Sequence, residues 1–369
     1  ATAFAHYVGC YREQMAQGLR PLVEGYGLAL HDKAILDALC RLHDVSVFDA
    51  MAGNLAGIAQ TELAPDLAGF DIDAFVRSLR PAKSIKARHT VGLIDPLEGE
   101  GTLGDGLPET LTEVIETYGQ RIFKLKAGGD VDADIARLSD IAAVLDRIDA
   151  PYRATLDGNE QYTDIEGVQA LMDAMRKTPA LVRLYDSLLF VEQPMDRDAA
   201  LSTDVSGLDI GKPLEIDEAD GTLDSFPRAK TLGYRGVSSK SCKGLYKSIL
   251  NAARRTHWNA EAGEDRYFLS GEDLSTQAGL AVQQDLALVS LIGCTHLERN
   301  GHHYVNGMSG VPEAEQDAFL TAHPDLYHRA DGTVRLSIRD GRIALGSLAC
   351  TGFAAVAEPD WSSMRRMGE

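Results

Sequence analysis

From Ser84 onward the chain alternates short apolar runs with longer amphipathic ones: SIKARHTVGL, LPETLTEVIETYG, RIFKLKAG, DADIARLSDIAAVLDRI, YRATLDGN and DIEGVQALMDAMRK. The alternation continues through LLFVEQP, PLEIDEA, TLDSFPRAKTLG, RGVSSKS, LYKSILNAARRTH, RYFLSGED, AGLAVQQDLALVSLIG and THLERNGHH. Short runs bounded by Gly, Pro or polar turn residues read as strands, and the longer periodic runs read as helices. Eight such strands in succession close most simply into a (β/α)8-type barrel, with an open doubly wound sheet as the alternative. No GxGxxG turn follows the first strand, so a dinucleotide fold has no direct support. Residues 1–83 carry helical spacing in YREQMAQGLRPLVEGYG, DKAILDALCRLHDVSVFDAMAGNLAGI and DIDAFVRSLRP, with Gly or Pro near the ends. After residue 320, TVRLSIRDGRIALGSL reads as a hairpin around Asp340-Gly341. The expected architecture is α/β: a barrel over 84–319, with a capping α+β domain formed by segment 1–83 and the C-terminal segment 320–369. The hairpin and the N-terminal helices are expected to pack together over the barrel mouth.

Length and composition are consistent with this organisation. The 369 residues suit a barrel of roughly 250 residues with an added domain. Hydrophobic residues make up 44% and charged residues 25%, the composition of an ordinary globular protein. A net charge of −19 disfavours nucleic acid and anionic membrane surfaces as partners. Five scattered cysteines without CxxC spacing read as a reduced, cytoplasmic setting without a structural zinc. The chain opens at Ala1 inside a helical pattern, which leaves room for an upstream segment. It is expected to assemble as a homo-oligomer.

The chemistry gathers at strand ends. Lys124 and Lys126 lie two apart in RIFKLKAGG and so share one face of a strand. Lysine is almost never fully buried without a partner, and carboxylates close three later strands: Asp157, Glu192 and Asp217, followed by Lys240. Successive members from Lys126 to Lys240 stand roughly 23 to 35 residues apart, one strand plus one helix and two turns. Barrels of this class place their catalytic groups at such C-terminal strand ends. Three acids aimed at one mouth repel one another unless a cation lies among them. Oxygen-only ligands select a hard ion, Mg2+ first and Mn2+ as the alternative, over zinc.

The ordered set KLK, LDGN, FVEQP, IDEA and SSKSCK resembles the enolase superfamily, and within it the muconate-lactonising branch of the mandelate racemase/muconate lactonising enzyme family. The resemblance implies that Asp157, Glu192 and Asp217 bind Mg2+, that Lys126 and Lys240 act as acid and base, and that Lys124 polarises the substrate carboxylate. Asn159 and Glu218 match its supporting residues, and Glu298 falls where the family often places an acid at the active-site rim. It also implies a small carboxylate-containing substrate and proton abstraction beside that carboxylate through an ene-diolate. The family's small N-terminal domain usually opens with antiparallel strands, which are not visible before Ala1.

Other polar residues are weighed singly. Glu215 shares a face with Asp217 and needs a partner, with Arg153, Ser238 and Lys124 as the options. Asn300 shares a side of the last strand with His296 and Glu298, and His302 and His303 are substrate-binding or structural candidates that point apart if that strand continues. Lys243 reads as a solvated turn residue. No histidine ends the Lys240 strand to pair with Asp273, which favours Lys240 as the second base over a His/Asp dyad. To act as a base, a lysine must fall from a pKa of about 10.4 to roughly 7 to 8, at a cost of about 3 to 4 kcal/mol. Two lysines on opposed strands favour a racemase or epimerase. A dehydratase or cycloisomerase (lactonising lyase) would use the same residues, and a non-catalytic barrel-derived binding protein is the third reading.

Overall fold

The computed structural model describes residues 2–18, 20–99, 101, 103–273, 277–299 and 302–364. Eight parallel strands form the centre: β1 (Ser84–Val91), β2 (Ile122–Lys126), β3 (Arg153–Asp157), β4 (Leu188–Glu192), β5 (Leu214–Ile216), β6 (Gly236–Ser239), β7 (Phe268–Gly271) and β8 (His296–Arg299). Each pairs with the next from β1 to β7, and β8 pairs with β1. A parallel bridge between Glu272 and Glu298 joins the end of β7 to β8, so the sheet curls into a barrel. Every strand residue from Phe123 to Leu125 and from Ala154 to Asp157 is buried, as expected of parallel strands covered by helices on one face and filled on the other.

The N-terminal helices are α1 (Ala3–Ala16), α2 (Pro21–Leu42), α3 (Val47–Ala52) and α4 (Ile72–Ser78). Around the barrel run α5 (Leu111–Tyr118), α6 (Val131–Leu145), α7 (Ile165–Lys177), α8 (Val182–Ser187), α9 (Arg197–Ala200), α10 (Ser225–Thr231), α11 (Leu245–Ala262) and α12 (Leu280–Leu291), followed by α13 (Glu313–Ala322). The start of α5 shows how local sequence sets an element: Thr110 accepts the Glu113 amide while the Glu113 carboxylate accepts the Thr110 amide, a reciprocal cap. Phe4 and Tyr7 of α1 pack on Tyr246 of α11 at ring distances of 5.4 and 5.1 Å. Lys33 of α2 reaches Ser241 Oγ at 3.4 Å, which brings α2 to the mouth beside the end of β6. Among the described residues no helix is long and apolar enough to cross a membrane.

The C-terminal hairpin differs from the expectation. The paired strands are β9 (Tyr327–Ala330) and β10 (Thr333–Leu336), turning at Asp331-Gly332, where φ is 49° and 77°, the twist a tight two-residue hairpin requires. Asp340-Gly341 also turns, with φ of 50° and 66°, but only Arg339 and Arg342 bridge across it. The chain then forms β11 (Arg342–Ala344), antiparallel to Ser84–Lys86 at the N-terminal end of β1, away from the mouth. There Ile343 lies opposite Ile85, and both are buried.

Candidate active site

Parallel register brings the strand-end charges side by side: Lys126 lies opposite Asp157, Asp157 opposite Glu192, and Glu192 opposite Glu215. Lys124 is buried one step deeper. Its Nζ donates to Glu192 Oε1 at 2.9 Å and to Glu298 Oε2 at 2.6 Å, and lies 2.8 Å from Asp157 Oδ2 and 4.0 Å from Glu272 Oε2. Burial alone would lower its pKa, but Asp157, Glu192 and Glu298 hold it well above the usual lysine value. Lys126 stands at the mouth with 22% of its side chain exposed, 2.5 Å from Asp157 Oδ2, and it also donates to the Asn159 side chain.

Across the barrel, Lys240 follows β6. Its Nζ lies 2.8 Å from Asp217 Oδ2 and 2.6 Å from Glu272 Oε2. Burial acts to lower its pKa, yet Asp217 and Glu272 keep it well above the usual value. The drop a lysine base requires is therefore not met while these carboxylates are its counter-ions. Lys243 is buried, contrary to expectation, because the short turn Ser241–Lys243 folds it under Asp217. It donates to Asp217 Oδ1 at 2.6 Å and to the Ser238 carbonyl at 3.1 Å. Gln193 holds the backbone at Asp217. Its Oε1 accepts the Asp217 and Ala219 amides at 2.8 and 3.1 Å, which ties the end of β4 to the end of β5.

One carboxylate oxygen from each of Glu192, Asp217 and Glu272, all buried, falls within 4.8 Å of the others. Glu192 Oε2 is buried without a hydrogen-bond partner. Burial drives Glu192 well above the usual carboxylate range against the opposing pull of Lys124, with Asp157 and Glu215 adding to the rise. Burial also raises Glu272, reinforced by Glu298. Asp217 runs the other way: burial would raise it, but Lys240 and Lys243 hold it well below. Oxygen-only donors from three clustered acids and an orphaned buried oxygen fit a hard divalent ion.

No family model and no curated protein matches the sequence. Solved structures do match in shape. A mandelate racemase/muconate lactonizing protein from Paracoccus denitrificans Pd1222 superposes with a TM-score of 0.60 at 16% identity, covering 96% of this chain and 79% of that one. A racemase from Streptomyces coelicolor A3(2) with bound magnesium gives 0.52 at 14%, covering 90% and 70%. The substrate-liganded L-Ala-D/L-Glu epimerase from Bacillus subtilis gives 0.52 at 15%, covering 87% and 71%. The fold is that of the mandelate racemase/muconate lactonizing proteins.

On this mandelate racemase-type barrel, Lys124, Lys126, Asp157, Glu192, Asp217 and Lys240 come together, and a further acid, Glu272, joins them. Asp157 lies against Lys124 and Lys126, and Glu272 stands with Glu192 and Asp217. Glu272 was not singled out in the sequence, although it follows its strand and shares the inward face with Ser270. Asn159 donates to Glu218 Oε1 at 3.1 Å, so the two supporting residues form one pair beside Lys126. Glu298 is not at the rim: it is buried against Lys124, with Thr90 Oγ1 donating at 2.5 Å and the Arg88 guanidinium 3.7 Å away as an ion pair. Burial would raise its pKa, but Lys124 and Arg88 bring it down to about 2. Glu215 pairs with Ser270, whereas Arg153 is exposed. His302 and His303 do not join the lysines. Both approach His89, at ring distances of 5.0 and 4.8 Å, because the chain turns after β8 and no longer sends consecutive residues apart. Asn300 lies outside the described residues.

A cavity of about 320 Å³ adjoins Lys240, Asp217 and Glu218, and its far wall is Leu22, Val23 and Tyr26 of α2. Val23 and Tyr26 are 65% and 51% exposed, an apolar surface facing the charged strand ends.

Proposed function

We propose that this chain is a divergent mandelate racemase/muconate lactonizing-type enzyme. It uses Mg2+, or Mn2+ in its place, to move a proton on the carbon next to a carboxylate, as a racemase or epimerase of a small substrate. The observation that carries the reading is the placement of Lys126 and Lys240 at the ends of the second and sixth strands, on opposite sides of a buried carboxylate cluster. The magnesium and the racemase and epimerase descriptions of the similar structures support it.

Glu192, Asp217 and Glu272 would hold the ion. When bound, it would neutralise their charge and that of the substrate carboxylate, lowering the cost of the dianion formed on proton loss. Lys126 reaches the substrate from the β2 side and Lys240 from the β6 side. One, as the free amine, takes the proton while the other, as ammonium, returns it to the opposite face. Lys124 orients the substrate carboxylate. The wall of Leu22, Val23 and Tyr26 fits an apolar group beside the reacting carbon and excludes water from it.

The test is deuterium exchange in D2O with Mg2+-loaded protein and a panel of acylated amino acids, dipeptides and 2-hydroxy acids. NMR follows the α-proton, and chiral chromatography follows configuration. Exchange with inversion is expected. Exchange without inversion would move the dehydratase or cycloisomerase reading ahead, and absence of exchange and turnover across the panel by metal-loaded protein would overturn the proposal.

A further inference from the structure

We infer that His89, His302 and His303 form a second metal site, for a transition ion of the zinc class, on the outer wall of the barrel at the seam between β1 and β8. Arg88 and Thr90 point inward to Glu298, so His89 between them points outward. β1 itself therefore separates the imidazoles from the carboxylate cluster. Arg299, at the end of β8, lies opposite His89, and the segment after it delivers His302 and His303.

The spacing suits an ion. His89 Nδ1 and His302 Nε2 are 3.1 Å apart, and one ring nitrogen from each histidine falls within 4.8 Å of the others. Two imidazole nitrogens bound at about 2.0–2.1 Å to a tetrahedral zinc stand roughly 3.3 Å apart. The first pair is close to that separation, and the third ring has to close by at most about 1.5 Å. His303 Nδ1 is buried without a hydrogen-bond partner, although buried polar nitrogens are normally satisfied. Burial lowers the pKa of all three imidazoles, favouring the neutral form that binds metal. Asp95 Oδ2 accepts the Gly92 amide at 2.7 Å and stands 4.0 Å from His303 Nε2. On moving closer, this carboxylate would accept from Nε2 and leave Nδ1 free for an ion.

Imidazole ligands select zinc over magnesium, so the two centres take different metals. An ion here ties the segment after β8 to β1, where the barrel closes. The cysteine pattern gave no sign of this, because the ligands come from opposite ends of the barrel sequence.

The test uses the full chain, stripped of metal and titrated with Co2+ in excess Mg2+. The expected result is one equivalent of Co2+ with visible ligand-field absorption, displaced by Zn2+ but not by Mg2+, and a higher Tm with Zn2+. His303→Ala, at a half-buried position, should weaken Co2+ binding by at least about tenfold, and His302→Gln should do the same. Asp217→Asn, on the other side of β1, should leave the absorption intact, so failure of the magnesium reading does not affect this result. Absence of stoichiometric Co2+ binding to the unaltered protein would overturn the inference. So would absorption that survives His303→Ala and vanishes with Asp217→Asn.

Discussion

Lys240 and Glu272 form a 2.6 Å ion pair, which joins the residue proposed to carry a proton to a carboxylate proposed to hold the ion. Metal and lysine thus compete for one side chain, and metal binding would remove a counter-ion that keeps Lys240 charged.

The metal assignment predicts unequal effects among four acids. Glu192→Gln, Asp217→Asn and Glu272→Gln should each weaken Mg2+ binding at least about tenfold by calorimetry, whereas Asp157→Asn should weaken it less. Chelated protein should be inactive. If Asp157→Asn abolishes binding and Glu272→Gln leaves it unchanged, the third ligand is Asp157, as the sequence resemblance implies.

Lys124 is the internal cation for Asp157, Glu192 and Glu298. Removing one partner of a buried ion pair costs about 3 to 5 kcal/mol, so Lys124→Met should unfold at lower temperature than the unaltered protein when metal-free. Mg2+ should restore more stability to the variant than it adds to the unaltered protein. An equal Mg2+ shift in both proteins would show that Lys124 and the ion do not share the site.

The opposed lysines predict separable half-reactions. With an accepted substrate, Lys240→Ala should lose inversion yet keep deuterium exchange on one stereoisomer, and Lys126→Ala should keep it on the other. Retention of full two-way inversion by either variant would refute the assignment.

Asp32 lies buried on α2, and burial pushes its carboxyl up to about 7 from 3.8. A raised carboxylate pKa gives stability that is fully present below the unfolded value and is lost as pH rises through the folded one. Asp32→Asn should therefore match the unaltered protein near pH 4 and be more stable at pH 8, by about 2 to 4 kcal/mol. Parallel stability–pH curves for the two proteins would contradict this.

The strand–helix rhythm and the placement of Lys124, Lys126, Asp157, Glu192, Asp217 and Lys240 at inward strand ends were legible in the sequence. A period of two fixes which residues share a strand face, and a βα repeat sends every strand's C-terminal end to one mouth. Which acid faces which ammonium was not legible. The grouping of Glu272 with Asp217 and of Asp157 with the lysines depends on how the strands tilt and close, and the bridge from Glu272 to Glu298 is a contact across the last seam. The departure of β11 to the N-terminal end of β1, and the meeting of His302 and His303 with His89, are likewise long-range events. Local periodicity sets the direction of a side chain, but its partner is chosen only when distant segments exclude water together.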